Sequence, residues 1–155
     1  MTVNNLAFAK AVGDWCSKVE GRATAVFRQA SQRVIETATM GIPVDTGFAR
    51  ASGRASLESM PAIDPTATNK EKASAPFYQI KGQTISLVLD FGDITAVISS
   101  AELGQTIYWG VTAAYALPLE YGHSKQTPAG FVRLAAAQWP VIVAETIAEA
   151  KSRAD

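Results

Sequence analysis

His123 is the single histidine of the chain and Cys16 its single cysteine, so a zinc site of the usual His and Cys composition cannot be assembled within one copy. A Cys–His nucleophilic pair is formally available. Cys16, however, falls on the apolar stripe of a helix-like pattern, where cysteine acts as a small hydrophobe. Counting alone leaves a Ser/His/Asp arrangement around His123 open, although no Gly-x-Ser-x-Gly elbow exists to present the serine. Glu120 would serve as a general base if buried. The stronger expectation is that a carboxylate beside a chain reversal accepts backbone N–H bonds and holds the loop. Asp45-Thr46-Gly47 matches the tripeptide that presents one carboxylate of an aspartic-protease pair, but there is one copy of it and it follows a helix. A turn that redirects the chain explains it better, with Asp45 and Thr46 accepting backbone amides and Gly47 allowing the change of direction. Asp90-Phe91-Gly92 matches a kinase tripeptide without the Gly-rich loop, strand lysine and catalytic-loop set that a kinase needs. No Gly-rich phosphate cradle is present. The residues therefore predict a protein without cofactor, metal or catalytic site.

Glu120 and His123 belong to a stretch unlike ordinary core sequence, Tyr115 to Ala135, in which two apolar-aromatic pieces flank a polar hinge. Gly122 can take a positive φ and end the first piece, while Thr127-Pro128 has the form of a helix N-cap with proline at the first helical position. Between them His123, Ser124, Lys125 and Gln126 form an exposed loop, and a loop pinned at both ends is a contact surface by default.

A chain of 155 residues with 48% hydrophobic residues fits one domain, 1–155, with a sizeable core. Fourteen basic and fourteen acidic side chains cancel, so no global field favours nucleic acid. Arg22, Arg28, Arg33, Arg50, Arg54, Lys81, Lys125 and Arg133 are scattered; some could line a channel through which DNA passes without being read. One cysteine forms no internal disulfide, and no apolar run reaches the roughly 20 residues of a membrane span. A soluble protein made in a cytoplasm, with no membrane contact, is expected.

From Leu6 to Ala38 apolar residues recur every three or four positions, which predicts one amphipathic helix over about Asn4 to Thr39, stopped by Gly41 and Pro43. Residues 58–76 hold three prolines and Lys70-Glu71-Lys72, and read as a flexible loop or arm for a neighbouring subunit, with Lys70 and Lys72 as contact candidates. Alternation predicts a strand from Thr84 to Phe91, a hairpin partner over Ile94 to Ser99, and a third strand over Thr106 to Ala113. A C-terminal helix from Thr127 or Pro128 to about Ser152 should kink near Trp139, because Pro140 removes a backbone donor. The expected fold is α+β, with the long N-terminal helix and the C-terminal helix packed on a small antiparallel sheet.

Three blocks taken together resemble a known family. Val44-Asp45-Thr46-Gly47-Phe48-Ala49-Arg50-Ala51-Ser52 follows the helix; Gly110-Val111-Thr112, Tyr115-Ala116 and Leu119-Glu120-Tyr121-Gly122 come next; Pro128 to Ala135 with Phe131-Val132-Arg133 closes the set. Their order and spacing are similar to those of the neck or tail-completion proteins of tailed bacteriophages, small tail components of siphophage type. The third block departs by placing Ala129-Gly130 between Pro128 and Phe131, and residues 58–76 are not part of the pattern. The resemblance implies a structural virion protein, assembled in the host bacterial cytoplasm, that forms a sixfold ring joining tail to capsid. Its partners would be the head-completion or stopper protein, the tail terminator and the tail tube. It marks Asp45, Thr46, Gly47, Arg50, Tyr115, Glu120, Gly122 and Phe131 as the motif; the subunit contacts are expected from the loop Gly122 to Thr127 together with residues 58–76. Two alternatives stand beside it: a tail terminator capping the tube and, more remotely, a small hydrolase with a site near Glu120 and His123.

Overall fold

The apolar recurrence of the first forty residues becomes α1, Asn5–Gly41, a single helix of 37 residues and about 55 Å. The computed structural model describes residues 5–44, 47–66, 77–80, 83–86 and 91–153. Only the second half of α1 is packed: Ala30, Ser31, Ile35, Ala38 and Thr39 are buried, whereas residues 6–22 are exposed. The buried hydroxyl of Thr39 donates to the Ile35 carbonyl one turn back at 2.7 Å, which satisfies a polar group that burial would otherwise penalise.

After α1 come α2 (Phe48–Ala51), β1 (Gly53–Ser56), β2 (Phe77–Ile80), β3 (Gln83–Ser86), α3 (Gly92–Ser100), β4 (Tyr108–Val111), α4 (Ala116–Glu120), α5 (Val132–Ala137) and α6 (Trp139–Ser152). β1 pairs antiparallel with β4, Gly53 opposite Val111 and Ser56 opposite Tyr108, and β2 pairs antiparallel with β3. The fold is α+β, with long N- and C-terminal helical segments and small antiparallel pairs. Its connectivity differs from the expected meander. Ile94 to Ser99 is not a hairpin strand but lies in α3, and the strand at 108–111 pairs with β1 rather than with the hairpin. Ile94 and Ile98 are four residues apart and both buried, so one run of β-branched residues satisfies either period, and packing on Ile35 selects the helix. Phe91, placed in a strand by its alternation, stands at the N-cap of α3. Residues 87–90, the rest of that run, lie outside the described residues.

One core cluster joins the end of α1 to the later elements: Ile42, Phe48, Ala49, Val111, Ala113, Ala116 and Phe131, with Trp109, Tyr115 and Leu119 against it. A second, Ile35 with Ile94 and Ile98, seats α3 on α1. α6 lies along α1, where Arg33 meets Glu149 at 2.6 Å. The Arg33 hydrogen bond holds the Glu149 carboxyl below its usual range, and the same bond raises the Arg33 guanidinium. The C-terminal helical segment breaks between Ala137 and Trp139, with Pro140 in the first turn of α6, where a missing N–H costs nothing.

Candidate functional site

Phe48 at 1% exposure and Phe131 at 3% anchor the first and third blocks to the second through the shared cluster. The Phe48 and Tyr115 rings lie 6.3 Å apart. Ser52 links the first block to the second: its carbonyl accepts from the amide and hydroxyl of Thr112, both at 3.0 Å, and its hydroxyl accepts from the Ala113 amide at 3.2 Å. The end of α1 is tied in by side chains. Arg50 Nη2 donates to the Met40 and Ile42 carbonyls at 2.9 and 2.8 Å, and Thr127 Oγ1 donates to the Gly41 carbonyl at 2.9 Å. A cation and a hydroxyl thus satisfy carbonyls that a helix terminus leaves open.

Glu120 sits at the centre of the second connection. Its Oε2 accepts the Phe131 and Val132 amides, both at 2.8 Å, and its Oε1 accepts the Arg133 amide at 3.1 Å and Arg133 Nε at 3.0 Å. Arg133 Nη2 returns to the Glu120 carbonyl at 2.7 Å and its guanidinium lies over the Tyr121 ring. The first amides of α5, which have no partner inside the helix, are therefore capped by a carboxylate eleven to thirteen residues earlier in the chain. Burial acts to raise the Glu120 pKa, but the amides of Val132 and Arg133, the Arg133 side chain and the Phe131 amide outweigh it and hold the carboxyl below its ordinary value. A general base working near neutral pH needs the opposite shift. With both oxygens engaged, this carboxylate is suited to holding the chain reversal.

The expected helix start at Thr127-Pro128 is corrected: α5 begins at Val132, and Thr127 caps α1 instead. Thr127 to Gly130 forms a turn closed by a Gly130 amide to Thr127 carbonyl bond at 3.2 Å. Gly122 has φ 84° and Gly130 φ 83°. A Cβ at Gly122 would stand 2.6 Å from the Pro128 carbonyl oxygen, and one at Gly130 would stand 2.5 Å from that of Glu120. Two backbones approach so closely here that only glycine fits.

No family model, curated protein or solved structure matches the chain.

The structure brings Gly47, Arg50, Tyr115, Glu120, Gly122 and Phe131 into this one region, while Asp45 and Thr46 lie outside the described residues, as do Lys70 and Lys72. Gly122, His123, Ser124, Lys125, Gln126 and Thr127 form the connecting loop. His123 Nδ1 lies 3.1 Å from the Pro118 carbonyl, and the Gln126 amide group pairs with both backbone groups of Val44 at 3.0 and 3.2 Å. His123, Lys125 and Gln126 are exposed. Cys16 is exposed as well, not buried as its stripe suggested. Most of the arginines are engaged within the chain: Arg28 with the Ala101 carbonyl, Arg54 with the Ala51 and Gly53 carbonyls, Arg33, Arg50 and Arg133 as above. Among the described residues no three His, Cys, Asp or Glu groups gather to hold a metal, and no helix is long and apolar enough to cross a membrane. Sequence reasoning missed Gly130 and the bridging role of Ser52. The Pro-Ala-Gly sequence is the available signal for the first, and nothing local marks the second.

Proposed function

We propose that this chain is a structural subunit of a tailed-phage neck, a tail-completion protein that works as a ring of identical copies between the capsid and the tail. The observation that supports this reading best is the convergence of three separated sequence blocks on one core cluster and one carboxylate clamp. Their shared geometry presents a loop, His123 to Gln126, that is anchored at both ends and exposes His123, Lys125 and Gln126. Glu120 and Arg133 spend their hydrogen-bonding capacity on the backbone, as in a rigid mount for a contact surface. Identical copies in a ring meet through two different surfaces, and the anchored loop is one candidate. The head-completion protein, tail terminator and tail tube are the proposed neighbours, and DNA would pass through the ring without specific contacts.

Electron microscopy of the purified protein, alone and mixed with neighbouring tail proteins, tests this. Rings are expected. His123→Ala with Lys125→Ala should abolish ring formation or tail joining while changing stability by less than about 0.5 kcal/mol, since both side chains are exposed. Particles that never close into rings under any of these conditions would count decisively against the proposal.

A further inference from the structure

Phe8, Val12, Trp15, Val19, Ala23 and Val26 follow one another at spacings of three or four along α1, so they share one face of the helix. The far end of that face, Ala23 and Val26, is half-buried and borders α6. The near end is not: Phe8 is 69% and Trp15 65% exposed, and every residue from 6 to 22 is exposed. This overhang is about 26 Å long. Its two aromatic rings alone place on the order of 250 Å² of apolar surface in water, close to the largest patch an ordinary monomer leaves uncovered.

The same chain carries a complementary hollow. Between α1 and α6 runs an open groove of about 690 Å³ whose lining includes Val26, Phe27, Trp139, Val143 and Ile147. A small-molecule pocket of this size has several converging polar groups. This groove has apolar walls made by two helices, with Arg22 and Lys151 its only charged lining among the described residues. Such a surface takes the apolar face of a third helix. The overhang cannot fold back into its own groove, because α1 is one continuous helix from Asn5 to Gly41. A second copy can supply it.

We infer that the groove between α1 and α6 is filled by the N-terminal half of α1 from another copy of this chain, with Phe8 and Trp15 as the anchoring side chains. Each copy uses the strip twice, once as helix and once as groove. The groove lining runs from Trp139 to Lys151, about 18 Å of helix. A strip about 10 Å wide buried on both partners therefore comes to on the order of 700 Å² over the two contacts of a twofold pair and half that at each interface of a head-to-tail series, the size of a weak, concentration-dependent contact. The contact goes beyond the ring reading and does not depend on it. A twofold pair and a head-to-tail series both bury the same two surfaces.

Cys16 flanks the overhanging face and Ile147 lies in the groove at 38% exposure, so Ile147→Cys with a short bis-maleimide reads the contact directly. A link between copies, from Cys16 of one to the thiol introduced at position 147 of the other, is expected. It should disappear in Cys16→Ser/Ile147→Cys and in Phe8→Lys/Trp15→Lys/Ile147→Cys, the latter with an unchanged far-ultraviolet circular dichroism spectrum at the same protein concentration. Links that stop at dimers uphold the inferred contact and oppose the ring, whereas a ladder of trimers and larger species upholds both. Absence of the link, or its persistence after Phe8→Lys/Trp15→Lys, overturns the inference whether or not rings are seen.

Discussion

Glu120 accepts four hydrogen bonds with a side chain only 14% exposed, so its ionisation state and the fold are linked. Glu120→Gln keeps the shape but turns an NH₂ towards N–H donors, and at neutral pH this should cost about 2–3 kcal/mol in urea unfolding. Folding lowers the pKa of this group. The stability it contributes is therefore complete above the unfolded carboxylate value of about 4.3 and is lost as pH falls through the lower folded-state value. The gap between wild type and Glu120→Gln should be constant from pH 7 to about 5 and close progressively below pH 4. A gap that does not change with pH would show that the charge is not what holds the α5 amides. Arg133, 58% exposed, matters less: Arg133→Ala should cost about 1 kcal/mol or less, most of it from the lost bond to the Glu120 carbonyl.

At the scale of elements, the turn before α5 is set by backbone approach. Gly130→Ala and Gly104→Ala impose similar strain, since both positions have positive φ, 83° and 95°. Around Gly104 nothing lies within 4 Å of an added Cβ, whereas at Gly130 the Glu120 carbonyl oxygen does. Gly104→Ala should thus cost about 1–2 kcal/mol, the left-handed penalty alone, and Gly130→Ala clearly more. Equal thermal shifts in the two variants would mean that the 120–130 contact yields freely. The same comparison explains what could be read from the chain beforehand. α1 was legible to within two residues at either end, because its period persists for about nine turns, and the kink expected near Trp139 has its counterpart in the break at Gln138. Ile94 to Ser99 was not, since Ile94 and Ile98 fit both periods and only Ile35, more than fifty residues away, decides between them. The helix cap at Thr127 misled for a related reason: the local pattern was right for a cap, but a carboxylate from Glu120 took that role and freed Thr127 to bind the end of α1. Glu120 itself was readable as a loop-holding carboxylate. Its partners were not, because they lie across a reversal that no local pattern specifies.

For the molecule as a whole, α1 is two things in one helix, a core element from about Ala30 to Gly41 and, beyond a partly covered stretch in which Arg28 and Gln29 still bond to the body, an unsupported rod over residues 6–22. An isolated helix of the overhang's length is marginal in water, and Gly13 and Gly21 each weaken it by about 1 kcal/mol relative to alanine. Hydrogen exchange in a single copy should therefore separate the two halves, with amides from about 8 to 20 opening locally and exchanging orders of magnitude faster than those from 30 to 41, which open only with the core. Added Cβ atoms at Gly13 and Gly21 meet nothing within 4 Å. Gly13→Ala with Gly21→Ala should accordingly slow exchange in the overhang by roughly tenfold for each 1.4 kcal/mol gained, leaving the buried half unchanged. On the inferred contact between copies the gain should also show in association, because a helix already formed loses less conformational entropy on docking. If the double alanine variant slows exchange but leaves the concentration dependence of oligomer formation where it was, the overhang is ordered without being the element that joins one copy to the next.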